Sequence, residues 1–288
     1  MSADFQNFSL VLSGGGARGF AHMGALKALE EEGLRPSMIV GVSMGSLVGA
    51  VYALHEDWYN VLRSSNLAKT LADDQLNFDG WTNLYSLLRF LRHLPRAIWG
   101  FFFGWGLTPI RQKQALQVIE QLSRGKKLED ARIPIAISAT DLLSGNRVVI
   151  RTGNAARAIY ASAALAGVFP PLKEKDSLLA DGAYTDLAPI DVARITNARV
   201  IAIDASQSMA LPEIRNAFQA LMRAVDICHM QHARLRFLEA DLLLRPSFTR
   251  FIDTLDFSLV KECVDAGYSM IKGNLPSIRS LLGASTTG

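Results

Sequence analysis

The sequence predicts a single α/β domain built on a mostly parallel sheet. Three observations carry that expectation. Short apolar runs alternate with helical patterns from residue 8 onward, the connections between them are short, and the first two strand-to-helix junctions are rich in glycine. A chain of 288 residues is long enough to bury a full core. With 49% hydrophobic and 20% charged residues it is globular and rather apolar, which excludes a disordered chain. A net charge of +3 gives no reason to expect a nucleic acid as partner.

The elements follow in order. FSLVLS (8–13) reads as a buried strand, and the glycines after it lead into a helix packed through Ala21, Met23, Ala25, Leu26, Ala28 and Leu29 and closed by Gly33. SMIVGV after Pro36 is a second strand running through a sharp turn into an apolar helix. Residues 57–125 read as mostly helical. IPIAISAT (133–140), NRVVIRT (146–152), SLLADG (177–182) and ARVIAIDAS (198–206) are further strands. The small-residue stretch NAARAIYASAALAGVF reads as a helix stopped by Pro170-Pro171. A long helix near 212–239, a strand DLLLRP and a last helix from about 258 complete the chain. No linker, repeat or low-complexity segment interrupts it, so residues 1–288 are expected to form one domain, with a motif-bearing core at about 8–206 and a helical part at 207–288.

LSGGGARGF (12–20) admits two chemistries. Gly14-x-Gly16-x-x-Gly19 after a strand fits a dinucleotide fingerprint, yet the acid that would take the ribose hydroxyls is missing from the end of the second strand. There the chain reads Gly41-Val42-Ser43-Met44-Gly45. This Gly-x-Ser-x-Gly pattern is that of a nucleophile elbow, in which flanking glycines let strand and helix pack around an exposed serine. In a parallel sheet both turns open at the C-terminal edge of neighbouring strands. The N–H groups of Gly15 and Gly16 could then face the oxygen of a carbonyl attacked by Ser43. The plainer reading is that these glycines only permit tight turns.

A serine nucleophile needs a base. His22, His55, His93, His229 and His232 are the histidines, and none stands on a late loop where an α/β-hydrolase triad would want one. Asp181, at the end of an apolar strand and before Gly182, is the better candidate, with an ordinary Asp–Gly turn as the alternative.

Gly14-Gly15-Gly16-Ala17-Arg18-Gly19, Gly41-Val42-Ser43-Met44-Gly45 and Asp181-Gly182-Ala183, in this order, resemble the three motifs of patatin-like phospholipases. ASAALAGVFPPL (161–172) is similar to the small-residue helix that precedes the family's aspartate, and the opening GGGARGFAHMGALKALEE most resembles the bacterial branch related to neuropathy target esterase. The resemblance implies a three-layer α/β/α fold and a Ser–Asp dyad without histidine, metal or cofactor. Ser43 would be the nucleophile and Asp181 the proton acceptor, with Gly14, Gly15, Gly16 and Arg18 around the oxyanion hole. The implied activity is hydrolysis of acyl esters in phospholipids or lysophospholipids. Arg18 would support the glycine turn or a phosphate headgroup, with a surface salt bridge as the alternative. One departure is TDLAP (185–189), where many relatives carry Asn before the proline.

The N-terminus shows no signal-peptide pattern, and AIWGFFFGWGLTPI (97–110) is too short to span a bilayer, so a cytoplasmic protein is expected. Residues 81–110, with Arg89, His93 and Arg96 beside Trp99, Phe101, Phe102, Phe103 and Trp105, are the expected place of peripheral membrane contact. A core loop or an oligomer contact is the equal alternative. Cys228 and Cys263 lack metal-ligand spacing and read as reduced thiols. Head group, chain length and oligomeric state leave no mark in the sequence. Two other functions stay open: an esterase or thioesterase with a Ser–Asp–His triad through His229 or His232, and a nucleotide-binding protein without hydrolysis.

Overall fold

The computed structural model describes residues 6–65, 109–166, 168–194, 198–206, 214, 217–254 and 256–283. Eight strands are found among them: β1 (Gln6–Leu12), β2 (Pro36–Val42), β3 (Ile135–Asp141), β4 (Arg147–Ile150), β5 (Leu172–Glu174), β6 (Ser177–Asp181), β7 (Arg199–Ile203) and β8 (Leu242–Leu244). Pairing runs β5–β6–β3–β2–β1–β7–β8, with β4 also on β3. The β1–β2, β1–β7, β2–β3 and β7–β8 pairs are parallel, as expected for β-α-β units. The β3–β4, β3–β6 and β5–β6 pairs are antiparallel, so one side of the sheet is mixed.

The register around β3 places the site. Ile137 and Ser138 pair with both β2 and β4, and Ala139 and Thr140 pair with both β4 and β6. A strand has two edges and each position takes one partner per edge. Strands β2 and β6 therefore share one edge of β3, end to end and in opposite directions. Val42 lies opposite Ser138 and Asp181 opposite Ala139, so the C-termini of β2 and β6 meet.

Helices cover both faces. One core joins Leu10, Leu12, Ile39, Ile137, Ile201 and Ile203 to α1 (Ala21–Glu31), α2 (Met44–Leu54), α5 (Ala155–Ala163) and α8 (Val260–Leu281). The other joins Val11, Val40, Ala136, Val200 and Ala202 to α6 (Ile190–Ala193) and α7 (Ala217–Phe237). The alternation of Val200, Ile201, Ala202 and Ile203 between the two cores is the period-2 pattern of a strand buried on both faces. The remaining helices, α3 (Trp58–Ser64) and α4 (Pro109–Ser123), extend the larger core through Trp58 and Ile119.

Two expectations shift. Helix α5 ends at Ala163 rather than at the prolines, because the Ala164 carbonyl accepts the Asp181 N–H at 3.0 Å instead of continuing the helix. The glycine turn first forms a short 3₁₀ segment, Gly16–Phe20, and only then α1. Of the helical middle and the expected membrane-contact stretch, residues 66–108 lie outside the described residues.

Helices α1 and α8 approach closely enough to exclude side chains. A Cβ on Gly267 would lie 1.8 Å from the Ala21 carbonyl oxygen, whereas one on Gly273, in the same helix, would meet nothing within 4 Å. Gly267→Ala is therefore expected to cost about 1–3 kcal/mol by forcing the helices apart. Gly273→Ala should add up to about 1 kcal/mol from helix propensity alone. Urea midpoints of the two variants, moving in opposite directions, check this packing.

Candidate active site

Ser43 sits between β2 and α2 with φ 52° and ψ −123°, a conformation unusual for a residue with a Cβ. Such backbone strain costs about 1–3 kcal/mol and persists only where the surroundings hold it. Here the Ser43 carbonyl accepts from Ser46 N at 2.9 Å, Ser46 Oγ at 2.6 Å and Leu47 N at 3.2 Å. Its N–H donates to Ser162 Oγ at 2.9 Å, and that hydroxyl donates onward to the Ser138 carbonyl at 2.6 Å. Ser162 thus ties the elbow to α5 and β3. The motif glycines admit the turn. A Cβ on Gly41 would lie 2.5 Å from Ser46 Cα, and one on Gly45 2.3 Å from the Leu12 carbonyl oxygen.

Ser43 Oγ donates a hydrogen bond to Asp181 Oδ2 at 2.7 Å. The carboxylate is 5% exposed, and its Oδ1 accepts from Ala183 N at 2.9 Å. Burial raises its pKa from 3.8 to about 6, against the opposing pull of these two hydrogen bonds. Gly182 lets the turn lie flat on β3, since a Cβ there would meet the Ser138 carbonyl oxygen at 2.1 Å. Beyond it, buried Asp186 accepts from Ala188 N at 2.9 Å, Arg147 at 2.7 Å and Arg236 at 3.1 Å, fastening this segment to β4 and α7. Ala188, the residue before Pro189, is fully buried in the second core.

The glycine turn faces the same point. A Cβ on Gly14 would lie 3.3 Å from Ser43 Cβ, and one on Gly19 2.5 Å from Met44 Cβ. Gly16 takes φ +56°, and a Cβ there would meet the Thr254 carbonyl oxygen at 2.1 Å. Among the described residues, no acceptor is found for the N–H groups of Gly15 and Gly16, while the next amide, Ala17, donates to the Thr254 carbonyl at 2.8 Å. Arg18 does not lie at the surface. It is 7% exposed and donates to the Gly15 carbonyl at 3.2 Å, the Ile252 carbonyl at 3.0 Å and Thr254 Oγ1 at 3.3 Å. The guanidinium buttresses the turn from behind.

An apolar cavity of about 270 Å³ opens at Ser43 and Asp181. Met44, Leu47, Val118, Ile119, Tyr160, Leu165, Phe169 and Phe257 supply its walls, and the glycine turn lies at its polar end. The histidines are elsewhere engaged. His22 is fully buried with Nε2 2.9 Å from the Ser13 carbonyl oxygen, and burial lowers its pKa to about 4. His55 meets the Leu122 carbonyl at 3.0 Å, His229 lies beside the Tyr184 ring at the cavity wall, and His232 is exposed. His93 is outside the described residues. Among the described residues no three His, Cys, Asp or Glu side chains cluster as metal ligands, and both cysteines are free. No described helix is long and apolar enough to cross a membrane.

Sequence reasoning singled out Ser43, Asp181 and the glycines, and the fold brings them together. It passed over Ser162, Ser13 (whose hydroxyl accepts from Ala205 N and donates to the Gly14 carbonyl), Asp186 and Thr254. Their bonds join segments far apart in the chain, and no local pattern marks them.

Fold and site together define a three-layer α/β protein whose serine elbow faces a buried carboxylate. Residues 10–194 match the profile of the patatin-like phospholipase family, and the chain belongs to that family. Lysophospholipase NTE1 of Mycosarcoma maydis is 33% identical over 200 residues, covering 69% of this chain and 10% of that protein. Human patatin-like phospholipase domain-containing protein 6 is 35% identical over 200 residues, covering 68% of this chain and 13% of that protein. The chain thus spans about a tenth of the length of these curated relatives. Among solved structures, VipD from Legionella pneumophila superposes with a TM-score of 0.54 at 16% identity, over 94% of this chain and 67% of that one, a likeness of fold.

The raised Asp181 pKa has a consequence for stability. Ionisation of this group weakens the fold, so its contribution is full below 3.8 and is lost as pH rises through about 6. Asp181→Asn, which cannot ionise, should match wild type at pH 3. At pH 8 it should be more stable by about 1–3 kcal/mol. Melting temperatures of both proteins across this range measure the difference. A gap that is constant with pH would contradict it.

Proposed function

We propose that the protein is a serine acyl hydrolase acting on phospholipid or lysophospholipid esters through a Ser43–Asp181 dyad. The direct 2.7 Å hydrogen bond from Ser43 Oγ to Asp181 Oδ2 carries this reading, because it leaves no place for a histidine between nucleophile and base. Membership of the patatin-like phospholipase family and the lysophospholipase name of a relative support the substrate class.

In this reading Ser43 Oγ attacks the ester carbonyl as its proton passes to Asp181 Oδ2. A carboxylate is a weak base for a serine, and burial that lifts its pKa towards 6 narrows the mismatch. The carbonyl oxygen becomes an oxyanion within reach of the open N–H groups of Gly15 and Gly16, each such donor being worth about 3 kcal/mol in the barrier. Asp181 returns the proton to the leaving alcohol, giving an acyl-enzyme on Ser43 and the free alcohol. Water then attacks the acyl-enzyme, its proton again taken by Asp181, and the fatty acid leaves with Ser43 restored. The apolar cavity suits the acyl chain, since each methylene buried contributes about 0.8 kcal/mol.

Wild-type protein should be labelled at Ser43 by a fluorophosphonate and should turn over a short-chain aryl ester. Ser43→Ala and Asp181→Asn should each lower turnover by about a thousandfold or more. Since the ionised carboxylate is the base, kcat/KM should fall as pH drops below about 6. Turnover that survives Asp181→Asn but vanishes in His229→Ala or His232→Ala would replace the dyad with a triad. Absence of labelling and turnover in wild type would remove the hydrolase reading.

A further inference from the structure

The connection between β3 and β4 runs past the sheet edge that carries Ser43 and ends in two exposed leucines, Leu142 (43%) and Leu143 (67%). Val42 pairs with Ser138, so Leu142, four residues further along, extends about 13 Å beyond the level of Val42 at ~3.3 Å per residue. This turn is built to hold its shape. Asp141 Oδ1 accepts from Leu143 N at 3.1 Å and Leu178 N at 2.9 Å, and Oδ2 accepts from Ser144 Oγ at 2.6 Å. Gly145, at φ +74°, donates back to the Asp141 carbonyl at 2.8 Å. Two large apolar side chains on a rigid exposed turn gain nothing for the fold.

Beside them stands a second turn. Leu142 N donates to the Leu178 carbonyl at 2.9 Å, and Leu178 pairs with Lys173 across the β5–β6 hairpin. Lys173 thus lies two strand spacings, about 10 Å, from Leu142. Lys173 and Lys175 are exposed and form no ion pair among the described residues, whereas the neighbouring Glu174 is neutralised by Arg157 at 2.6 Å. Asp176 is the remaining exposed carboxylate of this turn, and the Asp141 carboxylate beneath the leucines is buried, so the outward-facing charges are two lysines against one aspartate.

We propose that Leu142 and Leu143, with Lys173 and Lys175, form a docking prong that seats the catalytic edge on a phospholipid layer carrying anionic headgroups. The leucines enter the boundary between headgroups and acyl chains while the lysines meet phosphates, the division of labour that suits an interfacial anchor. The prong rests on the acyl-hydrolase reading for its purpose, and it leaves the esterase site itself untouched.

Sedimentation of the full chain with vesicles tests the proposal, using phosphatidylcholine alone or mixed with a minority of phosphatidylglycerol. Wild type should bind the mixed vesicles. The double variant Leu142→Ser/Leu143→Ser should bind about tenfold less or weaker. Lys173→Gln/Lys175→Gln should lose several-fold on mixed vesicles and nothing on pure phosphatidylcholine. Both variants should keep wild-type melting temperature and soluble-ester turnover, which report the fold and the site separately from docking. Equal vesicle binding by wild type and the leucine variant would overturn the prong. So would failure of wild type to bind, or a self-associated wild type that the leucine variant renders monomeric without any change in lipid binding. Loss of soluble-ester turnover in wild type would instead strike the hydrolase reading.

Discussion

A hydroxyl and a carboxylate 138 positions apart can share a 2.7 Å hydrogen bond only if two chain segments end at one point. Strand β3 supplies that point by holding β2 and β6 on the same edge, end to end and antiparallel to each other. Everything else at the site adjusts to this junction. The elbow turns away into α2, the Asp–Gly turn folds back over β3, and the glycine loop from β1 closes the third side. A parallel strand in place of β6 would direct its C-terminus away from Ser43. The antiparallel part of the sheet is therefore the condition for the pairing.

The junction is held against two opposing free energies. Ser43 keeps a strained backbone, and Asp181 keeps a carboxylate buried at 5% exposure with no cation paired to it among the described residues. Neutral donors meet the carboxylate instead, Ser43 Oγ on one oxygen and Ala183 N on the other. A guanidinium there would have stabilised the charge and kept the pKa low. The charges that do reinforce the region stand one segment away, where Arg147 and Arg236 converge on Asp186. The fold thus places these ion pairs beside the turn, and among the described residues the Asp181 carboxylate has none.

Much of this was legible in the sequence because tight backbone approaches leave glycines behind. Gly41, Gly45 and Gly182 mark places where a Cβ would strike a carbonyl or a helix, so the elbow and the Asp–Gly turn show through as motifs. Strands buried on both faces show through as apolar runs, which is why β1, β2, β3 and β7 were placed near their true positions. Strand direction is a different matter. Nothing local in SLLADG distinguishes an antiparallel β6 from a parallel one, since its partner lies near residue 140. The end of α5 was misplaced for a similar reason, because the Ala164 carbonyl is claimed by Asp181 from outside the helix. Ser162 and Thr254 each act through two hydrogen bonds to residues distant in the chain, and such bonds impose no periodicity on their neighbours.

The Arg18 buttress separates the stretch that identifies this fold from the stretch that assembles it. The family profile matches residues 10–194, yet the glycine turn is held through the Ile252 carbonyl and Thr254, and α1 is seated against Gly267. A boundary drawn at residue 194 would discard β7, β8 and α8. It would also leave a guanidinium and the Ala17 amide without the carbonyls that orient them. In this chain the span that the profile marks is shorter than the mechanical unit, and a graft or a trimmed fragment has to respect the longer of the two.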